Sequence, residues 1–233
     1  ADCLYHLEIT HENGAQAVLS RPLVEAFAAS SPHVLQYALL EGFGDDEYVT
    51  VENEGKRQTY KEQLCPVTQN YPSVFELEMI EGSINSLNNP DLALIPQSMA
   101  RKFFGNSSAV GKKLEGEGWS ETVGGVYRDI PSNSIVGNVI YGRLSDDRGK
   151  GQWMQNNYEC YLRLDSPSSA TDLVSNFKKN FHHDEIDWKT MNLRIVPLHD
   201  VYFENDIAFD SQKEKGSYMQ MRLLAGIALL VVI

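Results

Sequence analysis

Two glycines and two lysines between Gly105 and Lys113 give this segment the composition of a phosphate-binding P-loop. A P-loop cradles a nucleotide phosphate with backbone amides and binds magnesium through the Ser or Thr that follows its lysine. Here five residues rather than four separate Gly105 from Gly111, and Lys113 occupies the Ser/Thr position. The segment also follows a predicted helix instead of opening one. We therefore interpret its glycines as a helix cap and a turn, and predict no nucleotide site.

The stretch His182-His183-Asp184-Glu185 contains the residue types that bind transition metals. Neighbouring positions of a helix point about 100° apart, whereas histidines that share an ion on one helix lie about four residues apart. The two imidazoles would therefore not converge on one metal. We favour a polar helix end, where the histidines lie near the negative end of the helix dipole, and leave metal binding as the alternative.

A nucleophilic active site is a third chemical possibility. The fold, not the order of residues, assembles a Ser–His–Asp triad, so the sequence leaves this possibility open. No G-x-S-x-G elbow is present, and four histidines lie in no recognisable setting: His6, His11, His33 and His199. Neither a C-x-x-C motif nor a zinc-ligand spacing connects the three cysteines, which are Cys3, Cys65 and Cys160. We predict no catalytic, cofactor-binding or metal-binding residue, and expect a protein that is not an enzyme.

The length of the chain limits the number of domains, and its charge limits the partners it can bind. The chain has 233 residues, enough for one large domain or two small ones. Its formal net charge is −12 and no cluster of Lys or Arg offsets it, so nucleic-acid binding is excluded. Apolar residues make up 42% of the chain, which suffices for a packed core. The composition indicates a folded, acidic protein.

Strand and helix patterns follow each other along the chain. Period-two alternation and short apolar runs predict strands at residues 4–9, 33–40, 48–52, 57–64, 92–95, 112–115, 122–126, 135–141, 158–164 and 193–196. Helices are predicted after Ser20, at 97–104 with Gly105 as a left-handed C-cap, and after Ser169, where Asp172 would complete a capping box. A β-rich middle between α/β segments predicts an α+β fold with an inserted subdomain.

The end of the sequence is apolar. From Leu223 to Ile233 no residue has a charge, an amide or a hydroxyl group, and none is proline. A membrane-spanning helix needs roughly 20 apolar residues, so a run of this length is more typical of a buried helix. A helix that is apolar on all sides must, however, be surrounded by protein or lipid. A buried core helix and the first half of a membrane helix both stay open at this point.

Five motifs, in their order along the chain, resemble MacB-like, or FtsX-like, ABC transporter permeases. Residues 2–8 are similar to the family's D-R-I-Y-R-L-E opening, and residues 196–202 to the q-P-L-t-d-i-Y segment before its second membrane helix. Between them, residues 92–105 resemble v-v-L-s-e-s-l-A-k-k-l-F-G, residues 109–112 resemble P-I-G-K, and residues 123–134 resemble V-x-G-V-x-k-D-x-P-x-N-S.

The resemblance covers nearly the whole chain and is greatest to permeases of Bacteroides-type bacteria. Three positions depart from the pattern. Cys3 and His6 stand where Arg is usual, and Pro96 stands where a Thr or Ser caps the helix. Because proline is also common at a helix start, these departures affect local details only.

The resemblance implies two lobes outside the membrane, inserted between the first and second membrane helices. A Porter-like α/β lobe would comprise residues 1–65 and 155–215, and an inserted β-rich Sabre-like lobe would comprise residues 66–154. Residues 216–233 would form a stalk helix that runs into a truncated transmembrane helix. The resemblance thus favours the membrane interpretation of the run from Leu223 to Ile233.

The resemblance also implies a function. This would be the periplasmic domain of a permease in the bacterial inner membrane, coupling cytoplasmic ATP hydrolysis to extracytoplasmic conformational change during export of an antibiotic, peptide or lipoprotein. No Walker motif occurs in the chain, so ATP would bind to another domain or subunit. Partners would be an ATP-binding subunit, a second permease copy and a periplasmic adaptor, and the isolated chain would be a monomer.

Two other function classes stay open. An extracytoplasmic ligand-binding sensor domain of a membrane receptor would need an apolar pocket with a few convergent polar groups. A soluble hydrolase would need an activated Ser–His or His–carboxylate pair in a cleft.

Overall fold

A computed structural model of the chain describes residues 3–12, 14–42, 46–131, 134, 136–204, 207–208, 216–217, 219 and 222–223. The strands in these parts are β1 (Leu4–His11), β2 (Gly14–Gln16), β3 (Val18–Leu19), β4 (Val34–Glu41), β5 (Asp46–Asn53), β6 (Lys56–Val67), β7 (Met79–Gly82), β8 (Leu92–Pro96), β9 (Lys113–Gly116), β10 (Trp119–Tyr127), β11 (Ile140–Arg143), β12 (Tyr158–Leu164), β13 (Met191–Pro197) and β14 (Ile207–Ala208). The helices are α1 (Arg21–Ala29), α2 (Tyr71–Val74), α3 (Gln97–Phe104), α4 (Ala170–Asn180) and α5 (Leu198–Val201), with 3-10 turns at Ser86–Asn88 and Pro167–Ser169. The fold is mixed α/β, with many strands and few helices.

The strands of the described residues join in one sheet, in the order β11-β8-β10-β9-β5-β6-β4-β12-β1-β2-β14. β13 pairs with β1, β3 with β12, and β7 with β10. Strand β1 is central, because Tyr5, His6 and Leu7 pair with β12 on one edge and with β13 on the other. Residues Leu4 to Ile9 are all buried although the sequence alternates between polar and apolar, so both faces of β1 are covered by packing as well.

Helices α1 and α4 cover one face of this central part of the sheet. Their apolar residues and the odd-numbered side chains of β1 form one buried cluster, which includes Leu23, Phe27, Leu173, Phe177, Tyr5, Leu7 and Ile9. Successive side chains of a strand point to opposite faces. The even-numbered residues Leu4, His6 and Glu8 therefore point to the other face of the sheet.

The two serines predicted as N-caps lie at the helix starts, but neither forms a side-chain cap. Ser20 precedes α1, and its buried Oγ has no partner among the described residues. Ser169 has helical backbone angles, because a 3-10 turn runs directly into α4, and its Oγ donates to Asp165 Oδ1 at 2.6 Å. The prediction of a capping box with Asp172 was therefore wrong.

The predicted strand–turn–helix unit of β8 and α3 is confirmed. The apolar residues of α3 pack in a cluster with strands β5, β8, β9, β10 and β11. Gly105 ends the helix with a positive φ of 62°, and its amide donates to Arg101 O at 2.9 Å. Its ψ of −121° lies outside the left-handed helical region, so the predicted left-handed C-cap is right in the sign of φ only.

Most predicted strands match the structure within a few residues, and one is much shorter. A strand was predicted at residues 135–141, but β11 begins at Ile140. Side chains hold the preceding loop in place. The Asn138 side chain accepts from the Ile130 amide and donates to the Ile130 carbonyl, and the Val139 amide donates to the Tyr127 hydroxyl at 2.9 Å. These bonds replace the strand ladder, and a local sequence pattern does not reveal them.

Of the apolar run at the end of the sequence, the structure describes only Leu223. The predicted stalk and membrane helix therefore falls almost wholly outside the described residues. Within those residues no helix has both the length and the apolar character that a bilayer span requires.

Candidate functional site

A cleft of about 740 Å³ lies between α1 and α4. It is lined by the second half of α1, one face of α4 along its whole length and the segments beside these helices: Ala26, Ala29, Ser30, Ser31, His33, Ser168, Ser169, Asp172, Leu173, Asn176, Phe177, Asn180 and Phe181. The two helices run antiparallel across the sheet, because α1 leads into β4 and α4 follows β12, its antiparallel neighbour. The cleft opens beside the end of β12.

The fold brings His33 and Asp165 together at this cleft. Nδ1 of His33 lies 2.8 Å from Asp165 Oδ2, and Ser169 Oγ donates to Asp165 Oδ1 at 2.6 Å. The bonds from His33 and from Ser169 hold the pKa of the Asp165 carboxyl below its usual range. A Ser, a His and an Asp are thus within hydrogen-bonding reach of one another beside a cleft.

Their order of contact is nevertheless wrong for nucleophilic catalysis. A catalytic serine must donate to the imidazole, which in turn is oriented by the carboxylate. Here both Ser169 and His33 bind the carboxylate of Asp165, so the imidazole is not placed to accept the serine proton. Both members of the His–Asp pair are also solvent-exposed. The arrangement fits a surface hydrogen-bonded pair that fixes the segment before α4.

The P-loop-like segment uses its own amides within the fold. Gly111 N donates to Val123 O at 2.8 Å, Lys112 N to Ala109 O at 3.0 Å, and Ser107 N to Phe104 O at 3.1 Å. Since these amides are engaged, they form no cradle for a phosphate. Gly111 has a φ of 85°, which explains the glycine as a turn residue.

The His182–His183 pair follows the end of α4 rather than lying on it, because the helix ends at Asn180. His183 stacks on Trp153, with ring centroids 3.8 Å apart, and its Nδ1 accepts the Glu185 amide at 3.3 Å. Among the described residues no three His, Cys, Asp or Glu side chains lie close enough together to hold a metal ion. The helical placement assumed from sequence was therefore wrong.

The cysteines occupy two environments. Cys65 and Cys160 are buried and Cys3 is partly exposed, and all three are free thiols. Burial raises the pKa of both buried thiols, and in Cys65 the nearby Glu159 carboxylate adds to this effect. A raised pKa suppresses the thiolate, so these two cysteines are poor nucleophiles and poor metal ligands.

A buried charged network lies on the other face of β1. Glu8 is completely buried, and its carboxylate is 2.9 Å from His6 Nδ1 and 2.5 Å from Arg194 Nε. Arg194 also donates to Glu204 through Nη2. The network therefore links β1, β13 and the segment that follows α5, and it compensates a carboxylate that would be costly to bury alone.

His6 contributes an uncommon feature to this network. It is 1% exposed, and its ring lies over Tyr161, with centroids 5.0 Å apart. Because a carboxylate only accepts hydrogen bonds, we assign a proton to Nδ1, which faces Glu8. Nε2 has no hydrogen-bond partner in the described structure. The imidazole is thus held by one bond and by ring packing.

The sequence offered no reason to single out Glu8 or Arg194, and it assigned His6 no role in a site. The three residues lie at the two ends of the chain, and their contact depends on the register of β1 against β13, in which Glu8 lies opposite Arg194. A single sequence contains no signal for that register. The alternating pattern of β1 predicts the strand but not that both faces are buried.

Comparison with known proteins gives the family. The sequence profile described as MacB-like periplasmic core domain matches residues 3–179. A search of the curated proteins finds no match.

Solved structures share the fold at low sequence identity. A domain from Porphyromonas gingivalis, described as part of a permease protein, superposes with a TM-score of 0.70 at 20% identity, over 96% of this chain and 97% of that one. The periplasmic region of MacB from Actinobacillus actinomycetemcomitans gives 0.56 at 14% identity, over 84% and 90%. The extracellular domain of the ABC-type transporter YknZ from Gram-positive bacteria gives 0.50 at 15%, over 82% and 99%.

The profile match covers more than half of the chain, and the similar folds extend over most of it. The source of the first structure agrees with the Bacteroides-type resemblance of the sequence. Domains of this kind are periplasmic or extracytoplasmic parts of membrane transporter permeases, not catalytic domains. The chain belongs to the family of MacB-like periplasmic core domains of ABC transporter permeases.

Proposed function

We propose that this domain transmits force: it couples ATP hydrolysis on a cytoplasmic partner to a conformational change outside the membrane, during export of an antibiotic, a peptide or a lipoprotein. The observation that supports this most directly is the pairing of β1 with β13. The ladder runs over seven residue pairs, from Tyr5 opposite Pro197 to His11 opposite Met191. The first strand of the domain and its last long strand thus lie side by side and antiparallel.

Such a pair suits a load-bearing element. A displacement applied at the start of β1 or at the end of β13 acts on the same end of one hydrogen-bonded ladder. The bond between part-exposed Arg194 and buried Glu8 is charge-assisted and crosses this ladder, and Arg194 also binds Glu204 beyond α5. The two strands would therefore move as a unit and carry the rest of the sheet with them.

The moving parts are, in this proposal, the two lobes expected from the sequence. The Porter-like lobe comprises residues 1–65 and 155–215, and the Sabre-like lobe comprises residues 66–154. In support, one apolar cluster takes nearly all its buried residues from the proposed Porter-like segments, whereas another takes all but Val49 and Val51 from residues 93–140. The boundary near residue 65 falls within β6, whose hairpin with β5 packs on the second of these clusters.

Several side chains connect the proposed lobes, among them Arg21, Asn70, Lys102 and Arg163. Arg163 of β12 donates through Nη2 to Val74 O at 2.5 Å and to Glu76 Oε1 at 3.0 Å. Glu76 has a φ of 54°, a conformation that non-glycine residues rarely adopt. We infer that Arg163 holds this strained segment and passes displacement from β12 to the strands that follow α2.

The remaining parts of the proposal concern the membrane. Residues 216–233 would form the stalk and the start of a membrane helix in the bacterial inner membrane, entering the bilayer between Leu223 and Ile233. A continuous helix of this kind rises 1.5 Å per residue and is stiff over several turns, so it can act as a lever. The partners would be an ATP-binding subunit, a second permease copy and a periplasmic adaptor.

The proposal is tested by spin-label distances in the full permease with its ATP-binding partner in lipid nanodiscs. One label replaces exposed Gln36 on β4 and the other replaces exposed Ser120 on β10, with Cys3 changed to Ser. We expect the Gln36–Ser120 distance distribution to differ between the ATP and ADP states. A second pair within one lobe, Gln36 and Asn176, should stay constant. Identical Gln36–Ser120 distributions in both states would contradict force transmission.

A further inference from the structure

The cleft between α1 and α4 has the shape of a groove for a third helix. One wall is the face of α4 formed by Leu173, Asn176, Phe177 and Asn180, which recur at helical spacing over two turns. The other wall is formed by small side chains, Ala26 and Ala29 of α1 and Ser30 directly after it, which leave the space open. At about 740 Å³, the cleft can take several large apolar side chains.

Aromatic rings lie at the base of the cleft, where Phe177 is only 2% exposed, and an exposed methionine lies near them. Phe177 and Phe181 stack with centroids 4.6 Å apart, and Phe181 lies 5.8 Å from Trp153. Beside Trp153, the side chain of Met154 is 72% exposed. Aromatic residues and methionine are enriched at the centres of protein interfaces.

The rim of the cleft is polar, and its carboxylates are Asp172, which lines it, and Asp165, which lies beside it. The pKa of Asp165 is below the usual range because its carboxylate is bonded to His33, another lining residue, and to Ser169. Within the described part of the chain, none of the residues that line the cleft is Lys or Arg. Nζ of Lys178 lies 2.9 Å from Asn192 Oδ1 on β13, and Lys179 is exposed but is not among the lining residues.

We propose that this cleft is the docking surface for an amphipathic helix of a partner protein. The apolar face of that helix would enter between α1 and α4, and its basic flank would lie over Asp172 and Asp165. Electrostatic repulsion argues against two other occupants, a second copy of the chain and an anionic membrane. A second copy of the chain has a net charge of −12, as does this one, and an anionic membrane surface would be repelled in the same way. The inference stands on the cleft itself and does not depend on force transmission.

The test uses the 233-residue chain and a fluorescent synthetic helix. The probe is a peptide of about 14 residues, or ~21 Å of helix, with Leu on one face and Lys on its flanks. A matched peptide has Glu in place of each Lys. Fluorescence anisotropy measures binding, and circular dichroism checks that each variant is folded. We expect micromolar binding of the Lys peptide and at least about tenfold weaker binding of the Glu peptide.

Two variants locate the binding, each with a matched control at an exposed position outside the cleft. Ala29→Trp fills the groove and should weaken binding at least about tenfold, whereas Ser120→Trp should not. Asp172→Lys should weaken it severalfold more than Glu117→Lys, which makes the same change of charge. Absence of binding, equal binding of both peptides, or equal effects of variant and control would overturn the proposal. A dimer in light scattering that Ala29→Trp abolishes would instead assign the cleft to a second copy and would also overturn it.

Discussion

Glu8 Oε2 and Arg194 Nε lie 2.5 Å apart across the β1–β13 ladder, although 186 positions separate the two residues in the chain. The glutamate is fully buried, whereas the arginine side chain is 38% exposed and reaches on to Glu204. Removing Arg194 and removing Glu8 should therefore change the free energy of unfolding by different amounts. Arg194 can keep one carboxylate and water, but Glu8 would keep only His6 in the described structure.

The first prediction follows from this asymmetry. Arg194→Met should lower the free energy of unfolding by about 3 kcal/mol, because it leaves a buried carboxylate without its cation. Glu8→Gln should cost less, since an amide is cheaper to bury than a charge. Urea unfolding of each variant measures both values. If Arg194→Met unfolds at the same urea concentration as the parent, Glu8 is not held by this pair.

The second prediction concerns Arg163, which joins β12 to the segment after α2. Arg163→Ala removes two bonds, to Val74 O and to Glu76, and should destabilise the domain by about 1.5–3 kcal/mol. Arg128→Ala is the matched control, because Arg128 pairs with Glu78 in the solvent. Because solvent screens that exposed pair, its removal should change the stability much less than Arg163→Ala does. If both substitutions lower the melting temperature equally, Arg163 does not hold the segment after α2 against β12.

The third prediction concerns the pH dependence that Glu121 contributes. Burial, with a smaller effect from the Asp91 carboxylate, raises the pKa of Glu121 from 4.5 to about 7. Its Oε2 is buried without a hydrogen-bond partner among the described residues. Between about pH 4.5 and pH 7 the folded state therefore binds more protons than the unfolded state, so stability falls as the pH rises through this window.

Glu121→Gln should remove this dependence. At pH 8 the variant should be more stable than the parent by on the order of 1–3 kcal/mol, and at pH 4 the difference should be small. Denaturant unfolding across this pH range gives the comparison, with exposed Glu117→Gln as the control. Parallel stability curves for parent and Glu121→Gln would show that this carboxyl does not titrate as described.

The fourth prediction concerns the thiols. Cys3 is partly exposed, whereas Cys65 and Cys160 are buried with raised pKa values. A disulfide reagent should thus modify one thiol per folded chain quickly and the other two only on unfolding. Cys3→Ser should abolish the rapid phase. Rapid modification of a second thiol in the folded protein would mean that the sheet opens locally near Cys65 or Cys160.

The sequence by itself determined the elements and the family. Local patterns predicted β1, β8, α3 and β12 closely, because period-two alternation and helical spacing are recorded within a few neighbouring residues. The five motifs also indicated the permease family, which the profile match confirms. Such motifs are strings of neighbouring residues and need no knowledge of the fold.

Only the tertiary structure decided which side chains meet. His33 and Asp165 are 132 positions apart, and Ser169 binds that carboxylate instead of capping α4, so a candidate triad is assembled in an order that cannot work. Glu8 and Arg194 meet because β1 pairs with β13 in one particular register. Register and packing arise from contacts between distant segments, and the periodicity of one segment does not encode them.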